Sequence, residues 1–287
     1  MLYSFQEARK EGLKFLMYQG GNGMKKACVA LLAVLMSCVF IASCQNPAAE
    51  ETTTSSVSES AQEDDGISAG DRIVFGSYPQ KNVPGTDTYE TEPIEWRVLE
   101  VREGNALVIS EYLLDATVYY YDMADVTWEK SSLRNWLNSK FYDTAFSESE
   151  KSMILTVKIE NKDNPLYGTP GGNDTEDNVF CLSLEEAQQY FKDADDRRAA
   201  PTDYALKNGA AVSDDCKLPN GMKTGWWWLR SPASSANRAA DADCYGNIDT
   251  EKNADGVDGD IVFAESNCVR PAVWITLSDR LEKAASK

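Results

Sequence analysis

The sequence contains no histidine. This absence excludes general acid–base catalysis by imidazole, a Ser-His-Asp triad and the usual His ligands of zinc and iron. The chain also has no Cys-x-x-Cys pair, so neither a zinc knuckle nor a dithiol redox site is indicated. Many enzyme classes are thereby removed, and we expect a protein that binds rather than one that catalyses.

Positive charge is also scarce. Residues 44–287 carry 23 Lys and Arg against 44 Asp and Glu, a net charge of −21. Such a surface repels phosphates, which argues against nucleic acid and against docking on anionic lipid. Acidic surfaces are ordinary for exported bacterial domains, so the charge identifies no partner.

The N-terminal region has the pattern of a secretory signal. A basic head at 24–26 precedes an uncharged apolar run at 27–42, and small residues lead into Cys44. The run is shorter than the ~20 residues that a spanning helix needs. A Cys at this place resembles the lipobox of bacterial lipoproteins, which implies a diacylglycerol on the thiol and cleavage just before it. The alternative is an ordinary signal peptide with a chance Cys.

Four segments follow from this pattern. We interpret residues 1–23 as a misassigned start, residues 24–43 as a lipoprotein signal peptide and residues 44–70 as an acidic, Ser/Thr-rich disordered tether. Residues 71–280 are predicted to form a single globular domain. The resulting expectation is an extracytoplasmic protein that is lipid-anchored to the cell membrane.

The pattern of the domain predicts strands, then helices, then strands. Two apolar runs joined at Glu103-Gly104-Asn105 predict a hairpin, and Ser-x-x-Glu capping boxes begin at Ser147 and Ser183. Further helices are expected at 133–141 and after Thr202. Later strands are expected at 226–230, around 245–248, at 261–263 and at 269–277. This order indicates an α+β fold with irregular antiparallel sheets and a few short helices.

Several of these segments together resemble a bacterial family of domains of unknown function. They are the strands at 73–80 and 94–99, the helix at 133–138, the Trp-Trp-Leu-Arg-Ser-Pro stretch at 227–232 and Val-Arg-Pro-Ala at 269–272. Members often belong to surface or secreted proteins. A weaker resemblance, to the formylglycine-generating-enzyme and C-type-lectin-like fold, implies that architecture. The copper-binding Cys pair of those enzymes has no match on corresponding motifs.

Four cysteines remain after the signal and Cys44. We interpret Cys181, in an apolar run, as a buried free thiol. Cys244 and Cys268 flank a strand–loop–strand pattern and are predicted to form a disulfide, although Cys216 could equally be a partner. The family usually has Gly where this chain has Cys268, which supports a bonding partner for that residue.

Aromatic and arginine side chains are the candidate binding residues. Exposed Tyr and Trp rings stack on sugars and anchor protein partners, whereas core packing is the commoner role for Trp. Buried Arg needs a carboxylate partner, either within the fold or on a ligand. The predicted binding set is Tyr119, Tyr121, Trp128, Trp226, Trp228, Arg230 and Arg270. We expect exposure particularly for Tyr119 to Tyr121 and Trp128, which lie in a polar segment.

An acidic turn near the C terminus is the candidate metal site. Its oxygen donors are Asp249, Glu251, Asn253, Asp255 and Asp258. Donors at alternate positions with Gly nearby suit Ca²⁺, but the closing bidentate Glu and the helical flanks of an EF-hand are missing. A solvated acidic turn is the alternative, and no other cofactor is expected.

These features lead to a hypothesis about function. We expect a surface-anchored lipoprotein whose domain is a non-catalytic binding module for a glycan or a protein. The alternatives are a glycan-acting hydrolase that uses two carboxylates and a structural protein of the envelope.

Replacing Cys44 with Ala tests the anchor. In cells fed an alkyne fatty acid, we expect the wild-type chain to be labelled and Cys44→Ala to lose the label completely, because the thiol is the acceptor. The control is Cys181→Ala, which should keep the label. Persistent labelling of Cys44→Ala would show that the lipid lies elsewhere.

Overall fold

The computed structural model describes residues 66–248, 259–277 and 281–284. All of them belong to one of the chain's two compact units, residues 62–287. The predicted signal peptide, Cys44 and most of the predicted tether lie outside the described residues. Within these ranges no helix is both long and apolar enough to cross a membrane.

The described residues form an α+β fold, as the sequence predicts. The larger sheet has the strand order β15-β1-β2-β3-β14-β7, and all its pairs are antiparallel. Its strands are β1 (Arg72–Asn82), β2 (Tyr89–Arg102), β3 (Asn105–Ser110), β7 (Val179–Phe180), β14 (Ala272–Thr276) and β15 (Glu282–Lys283). The central strand β3 pairs with β2 and β14 and is an apolar run that is buried from Ala106 onward. Because successive side chains point to opposite faces of a sheet, both faces of this strand are covered.

The second sheet has the order β12-β11-β10-β13-β4. Among the strand pairs of the described ranges, only β10–β13 is parallel. The strands are β4 (Asp115–Ala116), β10 (Trp227–Pro232), β11 (Arg238–Ala242), β12 (Asp260–Ile261) and β13 (Cys268–Val269). Two small ribbons pair β5 (Val157–Ile159) with β6 (Thr175–Asp177), and β8 (Val212–Lys217) with β9 (Lys223–Gly225).

The predicted hairpin at Glu103-Gly104 is confirmed. The two residues connect β2 to β3 and both have positive φ, 51° and 76°. Positive φ at both central positions is the requirement of a two-residue turn that matches the strand twist, and Gly104 meets it without steric cost.

The helices are short and several begin at the predicted caps. They are α1 (Ser132–Trp136), α2 (Tyr142–Ala145), α3 (Glu148–Lys151), α4 (Leu184–Tyr190), α5 (Ala194–Arg197) and α6 (Asp203–Lys207), with a π-helical turn at Leu137–Phe141 and a 3₁₀ turn at Trp128–Lys130. Both capping boxes are present, Ser147 with Glu150 and Ser183 with Glu186. Thr202 caps α6 as expected.

The C-terminal strands depart from the prediction in three places. Of the strand expected at 261–263, only Ile261 lies in a strand, β12 (Asp260–Ile261). Residues 245–248 form a turn at Gly246 with one bridge from Ile248 to Ala242, rather than a strand. The strand expected at 269–277 is divided at Arg270-Pro271, and its two parts, β13 and β14, belong to different sheets. Proline lacks an N–H to donate to a ladder, which explains the break.

The predicted Cys244–Cys268 disulfide is wrong. Cys244 is bonded to Cys216, and the two Cα atoms are 5.7 Å apart. Cys268 is a buried free thiol in β13, where it lies opposite Trp227 and Ala116 in the sheet. The loop after β11 instead meets the β8–β9 ribbon. Cys181 is free and buried, as predicted.

Peptide mapping without reduction checks this pairing. We expect one linked pair of peptides that contains Cys216 and Cys244, and a link from Cys244 to Cys268 would contradict the fold. Closing a loop of 28 residues should stabilise the domain, so Cys216→Ser should lower the free energy of unfolding by about 2–4 kcal/mol. Urea denaturation measures this loss.

Candidate functional site

A cleft of about 400 Å³ opens between the two sheets' ends and the β5–β6 ribbon. Its walls come from β2, from β5 and the loop after it, from α4, from the end of β10 and from Trp274 of β14. We call it the Trp274 cleft. Its size is within the range of small-ligand sites, which is about 300–1,000 Å³.

The floor of the Trp274 cleft is a buried ion pair. The Arg230 side chain is only 5 % exposed, and that of Glu186 is 26 % exposed. Arg230 Nη2 donates to Glu186 Oε1 at 2.8 Å and Nη1 donates to Glu186 Oε2, so the pair is bidentate. Nη1 also donates to the Cys181 carbonyl at 2.9 Å. A buried Arg is expected to have a carboxylate partner, and Glu186 is that partner.

This ion pair joins α4 to β10. Glu186 also accepts the backbone N–H of Ser183 in the capping box that begins α4, at 2.9 Å. The hydroxyl of Ser231, the next residue of β10, accepts the N–H of Leu184 at 3.0 Å. The first turn of α4 is therefore held against the strand, and the helix presents Tyr190 to the cleft.

The aromatic wall consists of Trp274 and Tyr190. Trp274 is half-buried in β14, and the Arg102 guanidinium lies over its ring at 4.8 Å from the centroid. The Tyr190 hydroxyl donates to Glu100 Oε2 at 2.6 Å. Burial and this hydrogen bond raise the pKa of Tyr190, so the hydroxyl remains a neutral donor.

The opposite wall is a loop fixed by the buried side chain of Asn164. Its Nδ2 donates to the Pro232 carbonyl at 2.9 Å, and its Oδ1 accepts the N–H of Leu166 at 2.9 Å. Gly171 closes the loop, because a Cβ there would lie 2.2 Å from the Asn161 carbonyl oxygen. Hydrogen bonds and close packing within the protein thus hold this wall in place.

Three residues of the predicted aromatic surface lie in the core. Tyr119, Trp128 and Trp228 are 2 %, 1 % and 0 % exposed, so the prediction of exposure is wrong for Tyr119 and Trp128. Their polar atoms have internal partners: Tyr119 donates to the Arg230 carbonyl, Trp128 to Asp177 and Trp228 to the Thr117 carbonyl. Because these polar tips are satisfied inside the protein, the rings contribute to packing at little cost.

The two remaining aromatic candidates lie outside the cleft lining. Tyr121 is 74 % exposed, on a loop next to α1. Trp226 is half-buried immediately before β10. The structure therefore does not gather the predicted aromatic residues into one surface.

Arg270 was expected to have a carboxylate partner, but its hydrogen-bond acceptors are backbone carbonyls. It is fully buried, and its Nε and Nη1 donate to the carbonyls of Ser110 and Arg197, each at 2.9 Å. Its guanidinium lies between the rings of Phe191 and Trp227, at 5.2 and 5.1 Å from their centroids. Burial lowers the pKa of Arg270. This side chain is part of the core and does not line the cleft.

The predicted calcium ligands Asp249, Glu251, Asn253, Asp255 and Asp258 lie outside the described residues. Within residues 66–248, 259–277 and 281–284, no group of three or more potential metal-binding side chains occurs. The calcium site therefore stays a prediction.

Sequence reasoning missed Trp274 and Tyr190. Trp274 shares a strand face with Thr276, while Val273 and Ile275 take the other face. This alternation indicates a half-exposed Trp and was available from the sequence. Tyr190 lies on the helix that follows the second capping box, and only the fold places its hydroxyl at the cleft.

A model of the family described as a domain of unknown function (DUF6273) matches residues 103–277, and the chain belongs to that family. A probable tRNA pseudouridine synthase B of Thermoplasma acidophilum is 24 % identical over 170 residues, which cover 54 % of this chain and 45 % of that protein. The chain thus spans about half the length of this relative. No solved structure matches the chain significantly.

Neutralising Glu186 tests the floor of the cleft. Glu186→Gln leaves the buried charge of Arg230 without a counter-ion, and breaking a buried pair costs about 3–5 kcal/mol. Since Glu186 is partly exposed, we expect about 3 kcal/mol of lost unfolding free energy in urea denaturation. The matched control is Glu185→Gln, whose pair with Lys162 is largely exposed and should contribute less than about 1 kcal/mol. Equal effects of the two changes would contradict a structural role for the buried pair.

Proposed function

We propose that this protein is a lipid-anchored, extracytoplasmic binding module that holds a short glycan in the Trp274 cleft. The observation that carries the proposal is the combination of an aromatic wall, Trp274 and Tyr190, with many polar groups in one preformed cleft. Aromatic faces pack on the apolar faces of sugars, and polar side chains orient hydroxyls. A cleft of this size suits a small ligand better than a protein surface.

The anchoring part of the proposal rests on the N-terminal sequence. The basic head, the short apolar run and Cys44 support export and lipidation. The polar residues 44–70 would then serve as a tether between the membrane and the domain.

The finer description of the fold also belongs to the proposal. A C-type-lectin-like arrangement, similar to that of formylglycine-generating enzymes, is supported by the order of an acidic helix, an Arg/Pro-Thr segment, a Trp-rich strand and a terminal Arg-containing strand. In this chain these are α4, residues 197–202, β10 and the β13–β14 region. Fold alone does not define activity, so the cleft carries the functional argument.

A carboxylate-based glycan hydrolase is the alternative function, and the cleft supports it less well. Of its five carboxylates, three are engaged by side chains, Glu186 with Arg230, Glu185 with Lys162 and Glu100 with Tyr190. Of the other two, Glu160 and Asp163, Asp163 accepts the backbone N–H of Gly171. A general acid needs a raised pKa. Burial does raise the pKa of Asp115, but this carboxyl accepts hydrogen bonds from Tyr78 and Asn208 and lies outside the cleft lining.

An RNA-directed activity, as in the name of the pseudouridine synthase relative, has less support. The net charge of −18 over the whole chain repels a phosphate backbone. Non-catalytic glycan binding remains the proposal.

A glycan array with the full chain in a non-ionic detergent tests the function, followed by titration of Trp274→Ala against the best ligand. Removing the aromatic face should weaken binding at least about ten-fold, equivalent to about 1.4 kcal/mol. Tyr121→Ala is the control, since Tyr121 is exposed but outside the cleft, and its affinity should equal that of the wild type.

Two outcomes would overturn this assignment. If Tyr121→Ala loses affinity and Trp274→Ala does not, the binding site would lie at the loop next to α1 and not in the cleft. If the protein binds no glycan and releases sugar from no glycan, the result would favour a structural role in the envelope.

A further inference from the structure

The exposed face of Trp274 already holds a cation of the protein itself. The Arg102 guanidinium is 4.8 Å from the ring centroid, and its Nη1 is 3.7 Å from Glu100 Oε1. The Arg102 side chain is nevertheless 62 % exposed. Arg102 directly precedes the hairpin turn at Glu103-Gly104, and an exposed ion pair of this kind contributes little to stability, so displacing the side chain costs little. The ring and the carboxylate together therefore form a cation site with a displaceable occupant.

The charge balance of the cleft also favours a cation. Each basic side chain of the lining has a carboxylate within 4 Å: Arg102 has Glu100, Lys158 has Asp174, Lys162 has Glu185 and Arg230 has Glu186. In the part of the chain that the structure describes, two further lining carboxylates, Glu160 and Asp163, form no ion pair. These carboxylates would repel an anionic ligand, whereas a cationic ligand would compensate their negative charge.

We propose that the Trp274 cleft selects sugars that carry a protonated amino group, such as a glucosamine unit with a free 2-amino group. The ammonium takes the place of the Arg102 guanidinium over Trp274 and pairs with Glu100. The hydroxyl groups of the sugar then face the polar side of the cleft. This inference rests on the proposed function, because it assigns the ligand class of the same cleft.

The geometry gives Arg102 a specific role as an internal competitor. In the unbound protein it satisfies Glu100 and covers the Trp274 ring, so an amino sugar must displace it. Removal of Arg102 therefore raises the affinity for an amino sugar, whereas a residue that contacts the ligand directly would lower it on removal.

Titration of the full chain in non-ionic detergent with three β-1,4-linked tetramers tests the inference. The tetramers consist of glucosamine, N-acetylglucosamine or glucose, and isothermal calorimetry at pH 6 gives each Kd. We expect the glucosamine tetramer to bind at least about ten-fold more tightly than the other two, and this advantage to shrink at 0.5 M salt, since screening weakens exposed charge pairs. Arg102→Ala should tighten glucosamine binding several-fold, while Lys207→Ala, which removes an exposed charge outside the cleft, should leave it unchanged.

The outcomes separate the two proposals. If the glucosamine and glucose tetramers bind with equal affinity and Trp274→Ala loses affinity for both, selection of the amine would be overturned while glycan binding in the cleft would stand. Weaker glucosamine binding in Arg102→Ala would overturn the competitor role. If the protein binds none of the three tetramers and also binds nothing on the glycan array, the proposed function itself would be overturned.

Discussion

The guanidinium of Arg230 is buried beneath the Trp274 cleft, and one carboxylate, that of Glu186, neutralises it. A buried charge without such a partner is costly, so the geometry of both residues is tightly constrained. Because Arg230 belongs to β10 and Glu186 begins α4, the ion pair fixes a helix to a strand that is 44 residues away in sequence. The position of Tyr190 on α4 depends on that attachment, and the loop held by Asn164 is tied to the end of the same strand through Pro232.

The protein uses its aromatic residues in two distinct ways. Trp96, Trp128, Trp227 and Trp228 are buried, and they pack the core of a domain whose helices are too short to form one alone. Trp274 is different because its strand has one face toward the core and one toward the cleft. Abundant tryptophan in this protein is therefore first a packing feature, and the candidate for binding is the half-exposed Trp274 ring that lines the cleft.

Much of the local structure was predictable from particular residues. The turn at Glu103-Gly104 and the capping boxes at Ser147 and Ser183 depend on contacts within a few residues, which a sequence pattern contains. The disulfide was not predictable, because Cys216 and Cys268 were both possible partners of Cys244 and the choice depends on which strands meet. The exposure of Tyr119 and Trp128 was mispredicted for a related reason. Their polar segment lies against the core, and their hydroxyl and indole N–H find acceptors far away in sequence.

By itself the sequence determined the acidic charge, the exclusion of histidine chemistry and the α+β character, since these follow from composition and periodicity. It also contained the signal-like N terminus on which the proposed anchoring rests. Only the tertiary structure decided that β13 and β14 divide at Arg270-Pro271 between two sheets, and that Glu186 is the partner of Arg230. The cleft arises from that arrangement, because its walls come from segments as distant as Glu100 and Trp274. Long-range packing, which no local pattern encodes, brings them together.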